Sequence, residues 1–249
     1  MVGGSATLEK KVYMEIIVVT GANRGIGLAL TRVLLTNGKT VVAICRRPEE
    51  SSELKQLAVL HPEGLDLIKC DVNNEAELAE AATRIQKRHG KLDVIFNNAG
   101  IMPEDGDESI LNIDLGVLRL AYETNVLGAA RVIRAFYPML ARSERPRILN
   151  VSSGLGSVST KDDYGYYAYS ISKAALNMLT RAVAHEFAPR GITTVAISPG
   201  WVRTDMGGEE AQLSPEESAE SLAKAIDRIG PELNGQFLDR YGRMGEYRW

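Results

Sequence analysis

Short runs rich in β-branched residues recur along the chain, and most are apolar at every position. They are Ile16–Thr20, Thr40–Cys45, Leu65–Cys70, Leu92–Phe96, Arg147–Val151, Thr193–Ile197 and Gln236–Asp239. A strand with one face in water reads as an alternation, whereas a strand buried on both faces reads as a continuous apolar run. Between the runs stand longer stretches with helical periodicity. Ile26, Leu30, Val33 and Leu34 recur at that spacing before Asn37-Gly38 ends the helix. Asn74 with Glu77 predicts a capping box opening a helix that runs to Arg88. Ser214, Pro215 and Glu217 predict a second box, on a helix stopped by Gly230-Pro231. This alternation with short connections predicts an α/β fold: one doubly wound parallel sheet of about seven strands with helices on both faces.

The 249 residues suffice for one large α/β domain. A hydrophobic share of 45% and a charged share of 24% exclude a disordered or fibrous chain. The net charge of −3 leaves no basic excess to neutralise a phosphate backbone, so no nucleic-acid partner is expected. No apolar run approaches the roughly 20 residues of a membrane span, so no membrane partner is expected either. Cys45 and Cys70 cannot build a disulfide framework and point to a reducing, cytosolic compartment. Both would be buried free thiols, with a redox pair as the alternative. Met1–Tyr13 is polar and lacks the apolar core of a secretion signal. It reads as a disordered leader, with Met14 a candidate functional start and 14–249 one domain. The other loose segments expected are Met102–Asn112 and Trp201–Leu213. His61, His89 and His185 show no metal-ligand spacing, and no metal is expected. Glu108 and Asp114 read as solvated charge, and Asp205 as loop.

In an open parallel sheet, ligands bind outside the carboxyl ends of the strands. The residues that follow the runs are therefore the ones to read. The first run leads into Thr20-Gly21-Ala22-Asn23-Arg24-Gly25-Ile26-Gly27. Gly21 permits a tight turn, Gly25 lets the backbone approach a pyrophosphate, and Gly27 lets the helix pack on the strand. The helix N-terminus beyond offers free N–H groups and a partial positive charge. The second run is followed by Arg46-Arg47, where an NAD-binding chain usually places a carboxylate for the ribose 2′-hydroxyl. An arginine can instead pair with a 2′-phosphate through two parallel hydrogen bonds, which favours NADP(H). Arg24 could reach the same phosphate, and one of Arg46 and Arg47 would be a solvated cation. Asp71 follows the third run, Asn97-Asn98-Ala99-Gly100 the fourth, Ser152-Ser153 the fifth and Pro199-Gly200 the sixth.

These motifs, with Asn125, Tyr169-x-x-x-Lys173 and Thr204, stand in the order found in the short-chain dehydrogenases/reductases, which the chain resembles from about Ile16 to the last strand. The blocks Ser172–Met178 and Pro199–Gly208 look like the branch of C-signal-like proteins and sniffer-type carbonyl reductases. The resemblance implies a Rossmann-type fold and a catalytic set of Asn125, Ser153, Tyr169 and Lys173. It also implies cofactor contacts at Gly21, Asn23, Arg24, Gly25, Ile26 and Gly27, at Arg46 and Arg47, and at Asp71 and Val72. Further contacts would come from Asn97, Ala99, Gly100, Tyr169, Lys173, Pro199, Gly200, Val202 and Thr204. Asp71 would meet the adenine, although an aspartate after a strand also starts helices. Ser153 precedes Tyr169 by more residues than is usual in the family, the excess falling in Ser157–Tyr167, and Ser152 is the alternative serine.

Tyr169 and Lys173 are neighbours on one helix face. A free tyrosine titrates near about 10, too high to exchange protons readily at neutral pH. A nearby ammonium is expected to lower that value, making Tyr169 the general acid of carbonyl reduction and the general base of the reverse. Ser153 would hydrogen-bond the carbonyl oxygen as charge develops. The resemblance adds that Lys173 holds the nicotinamide ribose and that Asn125 anchors a relaying water. These residues imply an NADPH-dependent reductase acting on a small-molecule carbonyl, or on the alcohol in reverse. The alternative is a dinucleotide-binding regulatory or signalling protein with little turnover.

Only Asp205–Leu213 separates Thr204 from Ser214, too short for a helical lid. Met102, Trp201 and the Tyr164–Tyr167 cluster would wall a fairly open site, fitting small apolar or aromatic aldehydes, ketones and diketones. The stretches Leu115–Leu140 and Ala174–Ala188 are apolar around much of the helix circumference, which predicts a homodimer or homotetramer; burial within the monomer is the alternative.

Overall fold

The continuous apolar runs form one parallel sheet in the computed structural model, which describes residues 14–249. The leader expected over Met1–Tyr13 lies outside the described residues. The strands are β1 (Ile16–Thr20), β2 (Thr40–Cys45), β3 (Leu65–Lys69), β4 (Val94–Asn97), β5 (Arg147–Val151), β6 (Thr193–Ile197) and β7 (Phe237–Leu238). Their order is β3-β2-β1-β4-β5-β6-β7. The fourth strand starts two residues later than the apolar run suggests, because Leu92 lies outside the ladder, in the core. The seven α-helices of the described residues are α1 (Gly25–Thr36), α2 (Ser52–Leu60), α3 (Glu75–His89), α4 (Leu115–Tyr122), α5 (Ala129–Leu140), α6 (Tyr167–Phe187) and α7 (Pro215–Arg228).

Strand side chains divide by parity between two cores. Ile17 and Val19 of β1, Val41 and Ala43 of β2 and Phe96 of β4 pack with Leu30 and Leu34 of α1 and Leu222 and Ile226 of α7. Val18, Val42, Ile44 and Ile95 pack on the opposite face with Leu78 and Ile85 of α3, Val132 and Phe136 of α5 and Val183 of α6. Both faces are dry, which is why the strands do not alternate. Cys45 belongs to the first core and Cys70 to the second. The two thiols therefore face away from each other across the sheet, and burial pushes them up to about 11 and about 12. They are not a redox pair.

The helix signals hold with one change. Ser214 and Glu217 form the reciprocal box on α7. Asn74 accepts the N–H groups of Ala76 and Glu77, but Glu77 turns to the N–H of Asp71, at 2.7 Å, instead of that of Asn74. Asn74 donates its backbone N–H to the Asp71 carbonyl at 2.9 Å, which removes it as a partner. The run Leu115–Leu140 is broken at 123–128 by a π-helical turn between α4 and α5, a distortion that often marks a functional position.

Candidate active site

Every strand end on the carboxyl side of β1, β4, β5 and β6 contributes to one cleft, and its first wall is the loop from β1 into α1. Gly21 and Gly25 have φ of +67° and +52°, which side chains rarely adopt. A Cβ on Gly27 would stand 2.3 Å from the Gly21 carbonyl oxygen, so only glycine lets the helix start this close to the strand. Asn98 fixes the loop from behind: its Nδ2 donates to the carbonyls of Thr20 and Gly21 at 2.9 and 3.2 Å. Thr20 Oγ1 accepts the N–H groups of Asn98 and Ala99, both at 3.0 Å. Ser51 Oγ donates to Asn23 O at 2.9 Å, and Ile26 packs on the core. Arg24 is extended at the helix cap, with no side-chain cap and no acidic residue in the first turn of α1. The first N–H groups of α1 are therefore aimed at an uncovered cradle, the arrangement that holds a phosphate. These residues fit a dinucleotide pyrophosphate.

The basic residues separate into three roles. Arg46 is exposed and forms no ion pair among the described residues. Arg47 pairs with Glu50 at 3.2 Å. Arg24 pairs with Asp205, so Asp205 is more than loop. Beside them, Asp71 accepts the N–H of Asn73 at 2.9 Å in a turn entering α3, and Val72 is buried against Gly128. Thr204 closes the far side, with its methyl 3.2 Å from where a Gly25 Cβ would be.

The catalytic candidates converge at the other end of the cleft. Tyr169 and Lys173 lie in the first two turns of α6, 9% and 4% exposed. The Ser153 hydroxyl lies beside the Tyr169 phenol, close enough to lower its proton affinity. Ser152 is turned inward, donating to Asn177 Oδ1 at 2.6 Å, which makes Ser153 the serine of the cleft. The wide Ser153–Tyr169 separation costs nothing. Residues 154–156 pack directly on α6, where a Gly156 Cβ would stand 2.7 Å from Lys173 Cβ, and residues 158–160 and 162–164 are exposed. Lys173 Nζ donates to Val151 O at 2.8 Å. A Cβ on Gly100 would stand 3.2 Å from Asn125 Oδ1 and 3.5 Å from Lys173 Nζ, so both line that glycine. Asn125 sits in the π-helical turn and clamps the backbone of Ile101, accepting its N–H at 2.8 Å and donating to its carbonyl at 2.9 Å. Asn97 is buried at the end of β4 and donates to Asn150 Oδ1 at 2.9 Å.

The electrostatics correct one expectation. Burial pushes the Tyr169 phenol up to about 12, with the Ser153 hydrogen bond opposing it. Burial pushes Lys173 down to about 8. The lysine does not offset desolvation, because its ammonium is held by the Val151 carbonyl and lies 5.4 Å from the phenol ring centroid. Lowering the phenol requires charge that the chain itself does not supply.

The loops expected to be loose are tied. In 102–112, Glu104 is buried and accepts the N–H groups of Ala168 and Tyr169. Glu108 accepts those of Asp105 and Gly106, and Asp114 caps α4, so neither is merely solvated charge. In 201–213, Val202 bridges to Leu213 and Arg203 donates to the carbonyls of Ala211 and Gln212. Trp201 Nε1 donates to Gly207 O at 2.8 Å. Gly200 has φ of +82°, and Pro199 O accepts the Ser218 hydroxyl at 2.8 Å. Sequence reasoning missed Glu104, Asn98 as a clamp and the Arg24–Asp205 pair. Each joins segments remote in the chain, and only Asn98 carried a local signal, its place in a strand-end motif.

Residues 15–214 match the family of short chain dehydrogenases. Carbonyl reductase Sniffer of Drosophila melanogaster superposes with a TM-score of 0.87 at 32% identity, over 92% of this chain and 98% of that one. The NADPH-bound carbonyl reductase from chicken fatty liver gives 0.87 at 33% identity, over 95% of this chain and all of that one (100%). C-signal of Myxococcus xanthus is 39% identical over 154 residues, 61% of this chain and 91% of its own length. The chain belongs to the short-chain dehydrogenase family of oxidoreductases, among relatives of the sniffer and C-signal type. No helix of the described residues is long and apolar enough to cross a membrane.

Proposed function

We propose that residues 14–249 act as one NADP(H)-binding domain that reduces small apolar or aromatic aldehydes, ketones and diketones. The observation that carries this is the meeting of Ser153, Tyr169, Lys173 and Asn125 beside a glycine cradle with uncovered helix N–H groups. Gly21, Asn23, Gly25, Ile26 and Gly27 would hold the pyrophosphate, and the unpaired Arg46 a 2′-phosphate. Asp71 and Val72 would flank the adenine, and Asn97, Ala99, Gly100, Pro199, Gly200, Val202 and Thr204 the remainder of the cofactor. NADPH bound there supplies the hydride.

The chain's own residues handle the proton. Tyr169 donates its phenolic proton to the carbonyl oxygen, and Ser153 donates a hydrogen bond to the same oxygen as negative charge grows. Lys173, with one ammonium hydrogen on Val151 O, has two others for a ribose and for the proton path. Asn125, fixed through Ile101, keeps the far wall of that path in place. The self-bonded 201–213 loop and its Trp201, 54% exposed, support an open site for small substrates. Unpaired cysteines support a reducing, cytosolic setting.

A homodimer is the assembly proposed. The π-turn region and α6 bury Val126 and Leu176 within the chain, as α5 and α6 bury Ile133 and Val183, but Leu120, Ile171 and Met178 stay exposed. Light scattering at micromolar concentration checks it, and a monomer would contradict it.

The test of function is NADPH oxidation against a panel of aromatic aldehydes, ketones and diketones. Saturable NADPH binding with no turnover on any of them would favour the second reading, a dinucleotide-binding signalling protein, to which the similarity to C-signal lends support.

A further inference from the structure

Glu104 is a carboxylate 6% exposed, in a loop that follows β4, and it forms no ion pair among the described residues. A buried carboxylate is costly unless its oxygens are satisfied. Here both are, by backbone. One accepts the N–H of Ala168 at 3.0 Å and the other the N–H of Tyr169 at 2.6 Å. These are orphan donors of the first turn of α6, whose own cap supplies nothing: Tyr166 has no side-chain cap bond, and the first turn has no acidic residue. Tyr166 is also the one non-glycine residue of the described chain with positive φ, +48°. The usual sequence-local cap is absent, and a residue 65 positions earlier replaces it.

The anchor is itself held. Gly106 and Gly165 touch so closely that a Cβ on Gly165 would stand 2.0 Å from the Gly106 carbonyl oxygen, and a Cβ on Gly106 would meet the Tyr166 ring at 2.2 Å. Glu108 folds the same loop by accepting two of its N–H groups. Three residues before Glu104, Ile101 is clamped by Asn125. Asn125 Nδ2 then donates to Ser172 Oγ at 2.9 Å, and Ser172 Oγ donates to the Tyr169 carbonyl at 2.7 Å. The circuit closes: Asn125, Ile101, Glu104, the Tyr169 N–H, the Tyr169 carbonyl, Ser172 and Asn125 again. Both sides of the Tyr169 peptide are fixed, one by Ser172 and one by Glu104.

We infer that Glu104 is the positioning residue for Tyr169: its carboxylate grips the backbone of the proton donor and ties it to Asn125 through 101–104. The inference rests on the reductase reading for its kinetic test, and on the geometry alone for the other.

Glu104→Ala and Glu104→Gln are compared with the wild type, each alone and combined with Tyr169→Phe. A donor displaced by a fraction of an ångström lowers kcat by roughly ten- to a hundredfold in Glu104→Ala, with KM for NADPH within about twofold. Glu104→Gln keeps the volume and one acceptor and recovers part of the loss; it also carries the test should the alanine variant fail to fold. In the Tyr169→Phe background neither change alters the residual rate beyond about twofold, because the group being positioned is gone. A merely structural role would give the same loss in both backgrounds. In parallel, amide exchange accelerates at Ala168 and Tyr169 and stays constant at Leu176–Ala184. Wild-type kcat in Glu104→Ala, equal losses in both backgrounds, or unchanged exchange at 168 and 169 each overturn the inference. A wild type that reduces no carbonyl overturns the reductase reading only, and the exchange arm then decides whether Glu104 holds Tyr169.

Discussion

The two ends of the cleft are built by different means. The cofactor end is backbone: three glycines, a helix N-terminus without a cap, and strand ends in register. Its glycine loop lies within residues 20–51, with Asn98 clamping it from behind and Arg24 paired to Asp205. The substrate end is side chains holding loops across long separations. Glu104 reaches Tyr169, Asn125 reaches Ile101 and Ser172, and Ser157 donates to the carbonyl of Arg248. A phosphate is recognised by N–H groups that any residue carries, so that end needs only shape. A proton donor must be a particular atom in a particular place, so that end needs tethers.

The largest effect is expected where the tethers converge. Tyr169→Phe keeps the ring and its packing but removes the proton donor. It is expected to lower kcat by about a thousandfold or more, with NADPH affinity nearly intact, as read by steady-state kinetics and by fluorescence titration of NADPH. Retained activity would place the acid on Tyr164, Tyr166 or Tyr167 instead. Ser153→Ala should follow with a smaller loss in kcat. Ser152→Ala should leave kcat within about threefold and cost about 1–2 kcal/mol of stability, since Asn177 loses its buried partner. Equal kinetic losses at both serines would erase the distinction drawn between them.

The cofactor end should break in the opposite pattern. Gly27→Ala puts a Cβ 2.3 Å from Gly21 O and 2.6 Å from Asn98 Nδ2. Backbone cannot yield as a side-chain tip can, so the cradle opens. NADPH affinity should fall by about a hundredfold, and stability by about 1–3 kcal/mol. The ratio of kcat among different carbonyls should be unchanged, because the substrate end is untouched. Altered carbonyl selectivity in this variant would show that the two ends are coupled.

This division also explains what could be read from the sequence. The sheet was legible because seven apolar runs need two dry faces; its strand order was not, because parallel crossovers alone allow several orders. The glycine loop was legible because its signals are local. Tyr169 and Lys173 were legible as neighbours on one helix. Their charge states were not. Burial of Tyr169 pushes the phenol up instead of down, and burial depends on segments 100–106 and 153–157, whose packing no local spacing encodes. Segment 102–112 read as loose for the same reason: Glu104 is an ordinary residue of a polar turn until α6 is brought to it. The Arg24–Asp205 pair, 181 positions apart, carried no signal in the sequence either.

Arg46 sharpens the comparison at the outer edge of the cofactor end. Arg47 is engaged with Glu50 and Arg24 with Asp205, which leaves Arg46 as the unpaired cation after β2. Arg46→Ala should narrow the preference for NADPH over NADH by roughly ten- to a hundredfold, a charge-assisted hydrogen bond contributing about 1.5–3 kcal/mol. Competition titrations of both cofactors give the ratio. Arg47→Ala should change it by less than about threefold. The reverse ranking would assign the 2′-phosphate to Arg47 and make the Glu50 pair a resting contact.

The smallest effect expected is on the pH dependence of stability, to which Lys173 and Tyr169 of the substrate end contribute with opposite signs. Burial holds Lys173 near about 8, against 10.5 when free in the unfolded chain. Between those values the unfolded chain binds the proton and the folded chain does not. Stability therefore climbs with pH across that window. Tyr169 acts in the opposite sense. Its phenol titrates near about 12 folded and near 10.0 unfolded, so between those values the folded chain keeps a proton that the unfolded chain releases, and stability falls. The buried thiols of Cys45 and Cys70, held at about 11 and about 12 against 9.0 when free, also keep protons that the unfolded chain releases, so stability turns down from about pH 9 and the maximum lies near pH 9. Thermal melts across pH 7 to 12 read it, each kcal/mol shifting Tm by roughly 2–4 °C in a chain of this size. Lys173→Met should remove the rise and keep the fall, and Tyr169→Phe should keep the rise and make the fall shallower, the part due to Cys45 and Cys70 remaining. Gly27→Ala should lower the curve without changing its shape, because the cradle contains no titrating group. Melts of Lys173→Met that still rise between about pH 8 and 9 would assign the rise to another group and overturn the reading of Lys173 as its source.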